Sequence, residues 1–251
     1  MSESAPRDHY SYTLYADPEI ARRFDDRRFG GPIGELVAAS QAHVLANFVG
    51  RITDRPILDV GTGTGRAALL LARGGAKVVG IDASEQMLAI ARQRAAEQGV
   101  QATFAVGDAH DLRFPDRSFD VAISLRVIMH TPRWETCVAE LCRVADQLVI
   151  LDYPSATSVA RVQSIGRRVV TAFGGKTEPY RVFAHRDVEA ALARAGFRVR
   201  SIHRQFVLPI ALHKAIGSRR FTLAVEDRLD RWGALARFGS PVTLVAERCA
   251  L

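Results

Sequence analysis

The spacing of apolar residues changes character along the chain. Residues 1–16 are polar, with Tyr10, Tyr12 and Tyr15 interleaved, and read as an arm. Asp17 followed by Pro18 is a helix start, the carboxylate capping and the proline sitting at the first helical position. That helix is expected to run to about Phe24 and to turn Ile20 and Phe24 inward. A turn over 27–32 and a second helix over about 33–49 follow, with Val37, Val44, Leu45 and Phe48 on one face. From residue 56 the pattern becomes one of short apolar runs alternating with helical stretches, the signature of an α/β fold with a parallel sheet.

Five such runs are expected as strands: 56–60, 77–81, 101–106, 119–124 and 147–152. Helices are expected over 67–72, over 85–98 with Ser84 as cap, and over 134–144. A segment over 155–183 carries a helix-like stripe of Val159, Val162, Ile165, Val169 and Val170, broken at Gly174-Gly175. A helix over 185–195, a long strand over 197–207, a mostly helical stretch over 210–238 and a last strand over 241–247 complete the chain. Two final strands joined by a long connection suit an antiparallel hairpin at one sheet edge.

The first strand leads straight into Gly61-Thr62-Gly63-Thr64-Gly65, and the second ends at Asp82. Glycines let a backbone bend tightly and approach a ligand closely. In an open parallel sheet, ligands sit beyond the carboxyl ends of the strands. A carboxylate at Asp82, with Ala83 beside it, is placed to accept hydrogen bonds from a ribose diol. Nicotinamide enzymes and methyltransferases share this much. The dinucleotide fingerprint, however, needs a glycine where Arg66 stands, to bring helix and strand together. Asp59, just ahead of the glycines, would repel a pyrophosphate and suit a ligand carrying a sulfonium and an ammonium.

Asp59-Val60-Gly61-Thr62-Gly63-Thr64-Gly65 resembles the first motif of class I S-adenosylmethionine (SAM) methyltransferases. Gly107-Asp108-Ala109 at the end of the third strand and Phe114-Pro115-Asp116 through Ala122 around the fourth resemble later blocks of the same family; Ala122 stands where the family pattern has valine. The likeness covers roughly residues 55–152. It implies a Rossmann-like, doubly wound seven-stranded sheet with an antiparallel last strand. It also implies an N-terminal helical lid over 1–50, a SAM-binding domain over 51–251, and helical cap inserts at 153–184 and 208–240. SAM would be the cofactor and S-adenosylhomocysteine (SAH) the product. By the same resemblance, Asp59, Gly61, Thr62, Gly63 and Gly65 form the cofactor turn, and Asp82 and Ala83 face the ribose. Met87, Asp108 and Ala109 lie toward the adenine, Leu125 toward the cleft mouth, and Tyr15 with residues 24–29 on the lid. Ordinary packing explains Met87 and the lid residues equally well, and turn chemistry explains Asp108.

Such chemistry asks little of the protein beyond orientation, exclusion of water and, for some acceptors, a base. His130, six residues past the fourth strand, is the first candidate base and His110 the second, while Arg126 is placed to orient an acceptor. His185, His203 and His213 are placed to face the pocket of the insert. No spacing of His, Cys or carboxylates suggests a metal.

The formal net charge of +7, with 34 Lys and Arg against 27 Asp and Glu, raises nucleic acid or an anionic membrane as partners. The basic residues are scattered among acids rather than gathered in a block, and the segment after the fourth strand lacks the N/D-P-P-Y/F motif of nucleic-acid amino methyltransferases. A nucleic acid is therefore not the expected partner; the mid-chain blocks most resemble the quinone and natural-product branch of the family, and that resemblance implies a small-molecule acceptor, apolar or aromatic. No segment is apolar enough to span a membrane, no leader pattern opens the chain, and a cytoplasmic location is the default expectation. The insert is as apt to form a dimer face as an acceptor pocket. Three unpaired cysteines, Cys137, Cys142 and Cys249, read as reduced thiols. A non-catalytic SAM-binding protein and a nicotinamide oxidoreductase remain as competing readings.

Overall fold

A computed structural model describes residues 17–161 and 180–250. Tyr15 and the part of the insert stripe from Val162 to Val170 lie outside the described residues. Seven strands form one sheet: β1 (Pro56–Val60), β2 (Lys77–Asp82), β3 (Thr103–Val106), β4 (Phe119–Ser124), β5 (Ala145–Tyr153), β6 (Phe197–Phe206) and β7 (Ser240–Arg248). Their order is β3-β2-β1-β4-β5-β7-β6. The first five run parallel, and β7 is inserted antiparallel between β5 and β6. This is the Rossmann-like architecture of class I methyltransferases, with the expected antiparallel last strand.

Strand order reverses between β1 and β4, so the crevice lies beyond the ends of those two strands. The central strands are buried on both faces, as a parallel sheet covered by helices requires. One layer of core gathers Leu58, Val60, Ala122, Val149 and Leu151 against α5 (Trp134–Val144) and α6 (His185–Arg194). The other gathers Ile57, Val121, Ile123 and Ile150 against α2 (Gly31–Val49), α3 (Arg66–Arg73) and α4 (Glu85–Glu97). Cys137 and Cys142 belong to the first layer; burial pushes both thiols up to about 12, so they stay protonated and inert.

The N-terminal helix differs from expectation. Asp17 caps it, accepting from the Glu19 N–H at 2.8 Å, but α1 runs over Pro18–Phe29, so Arg27, Arg28 and Phe29 are helical rather than part of a turn. Arginine is a good helix former, and the break falls on Gly30 alone, which adopts an extended backbone. That extra turn carries Arg28 over the crevice. Asp25 anchors α1 there, accepting from the Thr64 hydroxyl at 2.9 Å and pairing with Arg94 of α4.

Between β6 and β7 lie three short helices, α7 (Ile210–Ile216), α8 (Arg219–Arg231) and α9 (Ala234–Phe238). A buried polar knot joins the first two. His213 is wholly buried, with Nε2 2.8 Å from Glu226 Oε1 and Nδ1 3.0 Å from the Thr222 hydroxyl. Glu226 also accepts the N–H groups of Val207 and Leu208. The knot satisfies polar groups that burial would otherwise leave costly. It also corrects the expectation that His213 faces a pocket. His185 is likewise occupied, its Nδ1 lying 2.6 Å from the Tyr153 hydroxyl.

Candidate active site

The glycine turn is built by backbone constraint. Gly61 has φ +71°, and a Cβ added there would fall 2.2 Å from Val127 Cγ2. Its missing side chain is what lets the segment after β4 close over the turn. Gly63, φ +57°, has open space where its Cβ would be, so bare backbone faces the cleft. Gly65 is different: its Cβ would meet Ala91 of α4 at 2.9 Å, so it serves the packing of helix on helix.

Asp82 closes the turn from the neighbouring strand. One of its oxygens accepts the Gly63 N–H at 2.8 Å and the other the Ser84 N–H at 2.9 Å. The carboxylate, with about four acceptor sites, keeps capacity beyond these bonds. Burial raises its pKa against the effect of the backbone N–H groups of Ser84, Gly63 and Ala83. Asp59 is more deeply set; burial holds its carboxyl up at about 6, although the Thr62 hydroxyl donates to it at 2.7 Å. Asp152, at the end of β5, is also buried and also shifted upward by burial. It accepts the backbone N–H of Arg126, a residue in the left-handed region at φ +65°. Three carboxylates at strand ends are thus held where ionisation is costly and a neighbouring positive charge is welcome.

Three adjoining cavities meet at this crevice. The first, about 130 Å³, is lined by Gly61, Gly63, Asp82, Ala83, Met87, Asp108, Ala109 and Leu125 from the cofactor set, and by His110, Arg126 and His130 from the catalytic set. Asp59 and Thr62 line the second, on the α2 and α3 side of the turn. The third, about 330 Å³, lies between α1, α2, the end of β6 and α7. Arg28 and Arg126 line all three cavities, and His130 lines the first and third. None of His185, His203 and His213 lines the third.

His110 is held by its neighbour: its ring Nδ1 lies 2.7 Å from Asp108 Oδ1, which also accepts the His110 backbone N–H. His130 ends a 3-10 turn over Ile128–His130 and is nearly buried at the junction of cavities. Two residues were not singled out from sequence. Asp152 carries the same signal as Asp82, an acid at the end of a parallel strand. Lys214 lies ninety residues past β4 and has no such signal. Among the described residues no group of three or more His, Cys, Asp or Glu side chains is gathered as a metal site.

Comparison with known proteins agrees with this geometry. A family described as a methyltransferase domain matches residues 57–147. The demethylmenaquinone methyltransferase of Thermus thermophilus is 36% identical over 57% of this chain and 74% of its own. The magnesium-protoporphyrin O-methyltransferase of Synechocystis is 28% identical over 77% of this chain and 86% of its own. A crystal structure of magnesium protoporphyrin IX methyltransferase from Synechocystis, with bound SAH, superposes with a TM-score of 0.65 at 21% identity, covering 96% of this chain and 97% of that one. The chain belongs to the class I SAM-dependent methyltransferases. It is an enzyme of that class acting on small molecules, with SAM as its cofactor. The residues present fit that group: a bare-backbone turn at Gly63, a carboxylate with spare acceptor capacity at Asp82, and apolar walls from Val60, Ile81 and Met87.

Proposed function

We propose that this enzyme methylates an oxygen, nitrogen or carbon of a small, largely apolar or aromatic molecule seated in the 330 Å³ cavity. One observation carries the reading: Arg28, Arg126 and His130 wall both the cofactor cleft and that cavity, so a group bound in one abuts a group bound in the other. The cofactor supplies an activated methyl on a sulfonium that is already a good leaving group.

The residues of the chain divide the remaining work. Asp82 holds the ribose hydroxyls, and Met87, Asp108 and Ala109 flank the adenine. Asp59 and Thr62 stiffen the turn, and their side supplies negative potential for the cationic methionine end. Phe24 and Arg28 of α1, with Leu125 and Val127, close the cleft against water, which strengthens every charge interaction inside. His130 is the proposed base for an acceptor that must lose a proton. His110 is the lesser candidate, because Asp108 already engages its ring. Arg126 orients the acceptor, its backbone pinned by Asp152. The described part of the N-terminal segment, residues 17–50, acts as a lid and 208–240 as a cap, in the sense that α1 and α7 contribute walls to the cavities.

The test is turnover against a panel of hydroxylated aromatics and quinols with labelled SAM, in the native chain and His130→Ala. Methyl transfer that falls in the variant while SAM affinity holds supports the reading. Transfer that is unchanged removes His130 as base, and SAM binding without transfer to any apolar acceptor overturns the assignment of the cavity.

A further inference from the structure

The charge of the third cavity is one-sided. Among the described residues that line it, Arg27, Arg28, Arg126 and Lys214 are cationic, and no aspartate or glutamate lines it. Much of the rest of its wall is apolar, from Val37, Met129, Leu208 and Ile210. Lys214 is the telling residue. Its ammonium donates to two backbone carbonyls, those of Arg27 and Arg28, each at 2.9 Å. Two carbonyl dipoles are a weak answer to a full charge, and burial together with the nearby Arg28 guanidinium pushes the Lys214 pKa down. A partly enclosed site that holds like charges together is favourable to an incoming anion, since the effective dielectric there is well below that of water.

The cofactor's own carboxylate does not account for this arrangement. It would draw on Arg28 or Arg126, which reach the cofactor cleft, whereas Arg27 and Lys214 line the third cavity and neither of the other two at the crevice. Asp152 offsets both Arg126 and Arg28 from behind and is not part of the cavity wall.

We infer that the methyl acceptor is an amphiphile: an apolar body bearing an anionic oxygen group, which Lys214 and Arg27 seat with help from Arg28. This rests on the assignment of the third cavity to the acceptor. It narrows the acceptor class from apolar or aromatic molecules in general to acids among them, and it disfavours cationic amines, which would meet the Lys214 ammonium and no acid among the described wall residues.

The experiment is calorimetric titration of the SAH-loaded full chain with three matched probes, 2-naphthoate, 2-naphthamide and 2-naphthylmethylamine. It is run on the native chain, Lys214→Met, Arg27→Gln and the exposed control Arg113→Gln. SAH is titrated first into each protein, and melting temperature reports whether each variant is folded. The expected result is naphthoate binding roughly tenfold tighter than naphthamide, with the amine weakest. The ratio should fall toward unity in Lys214→Met and Arg27→Gln, survive in Arg113→Gln, and shrink at high salt. Equal or weaker binding of the carboxylate, a preference that persists in both cavity variants, or no binding of any probe overturns the inference. Failure of SAH itself to bind would instead overturn the cofactor assignment, so the two failures are separable.

Discussion

The two halves of the crevice are built on opposite principles. On the cofactor side, Asp59, Asp82 and Asp152 sit at strand ends on rigid backbone, Asp59 and Asp152 buried and Asp82 partly so, and each is shifted toward its neutral form. On the side of the third cavity, the proposed acceptor site, Arg27, Arg28 and Lys214 belong to helices and line the wall, without an acid among the described wall residues. A sulfonium with an ammonium suits the first environment; an anion suits the second. Under the proposed assignment, the difference keeps the two ligands from exchanging places, since each is repelled by the other side's surroundings. Arg28 and Arg126, common to all three cavities, mark the boundary.

The contrast breaks most visibly if its boundary residue is inert. His130→Ala should lower kcat by roughly a hundredfold for an acceptor that must be deprotonated, with SAM affinity within about twofold of native. Steady-state kinetics and calorimetry on the same preparation read both. An equal kcat would leave the boundary without a base. Next in size, Asp82→Ala should weaken SAM by about tenfold or more, because a charged acceptor for the ribose is lost. It should leave the binding of acidic probes to the acceptor side nearly untouched. Loss of both together would mean the two sides are not independent.

A third expected effect, of a different kind, concerns pH. Asp59 titrates near 6 in the folded protein against an ordinary value of 3.8. The folded state therefore binds its proton more tightly than the unfolded state. Asp59 contributes a penalty that is absent below about pH 4, grows as pH rises through 6, and is complete above it. Asp59→Asn should accordingly raise the melting temperature at pH 8 relative to native, with the gain vanishing toward pH 4. The full gap corresponds to at most about 3 kcal/mol. SAM, as a cation, should bind the native chain more tightly as pH rises from 5 to 7, and this slope should flatten in Asp59→Asn. A gain that grows toward low pH would contradict the assignment of burial as the cause.

The cofactor half was readable in the sequence because its determinants are local. A strand, a glycine turn and a helix follow one another within 57–82, so composition and spacing alone define the bend, and β-strand burial follows from the unbroken apolar runs. Ser84 and Asp17 cap their helices as read, since capping is decided within three residues. The proposed acceptor half was readable only in part: Arg126 and His130, just past β4, were named from sequence, but the rest is assembled from α1, the end of β6 and α7, nearly two hundred residues apart. Lys214 gains meaning only when α7 folds back onto α1. His213 shows the same limit in reverse: three residues of one network, His213, Thr222 and Glu226, look like surface polar residues until α7 and α8 pack together. The overrun of α1 past Phe24 is a smaller case, where helix propensity through Arg27 and Arg28 outweighed a glycine and a proline that lay just beyond.

The central claim is that the acid-flanked turn holds the cofactor with its sulfur toward the cavity walled by Arg28, Arg126 and His130. A crystal structure of the chain soaked with SAH tests it directly. The account predicts both ribose hydroxyls within about 3 Å of the Asp82 carboxylate and the sulfur opening toward the third cavity. A ribose that leaves Asp82 untouched, or a sulfur directed away from that cavity, would contradict it.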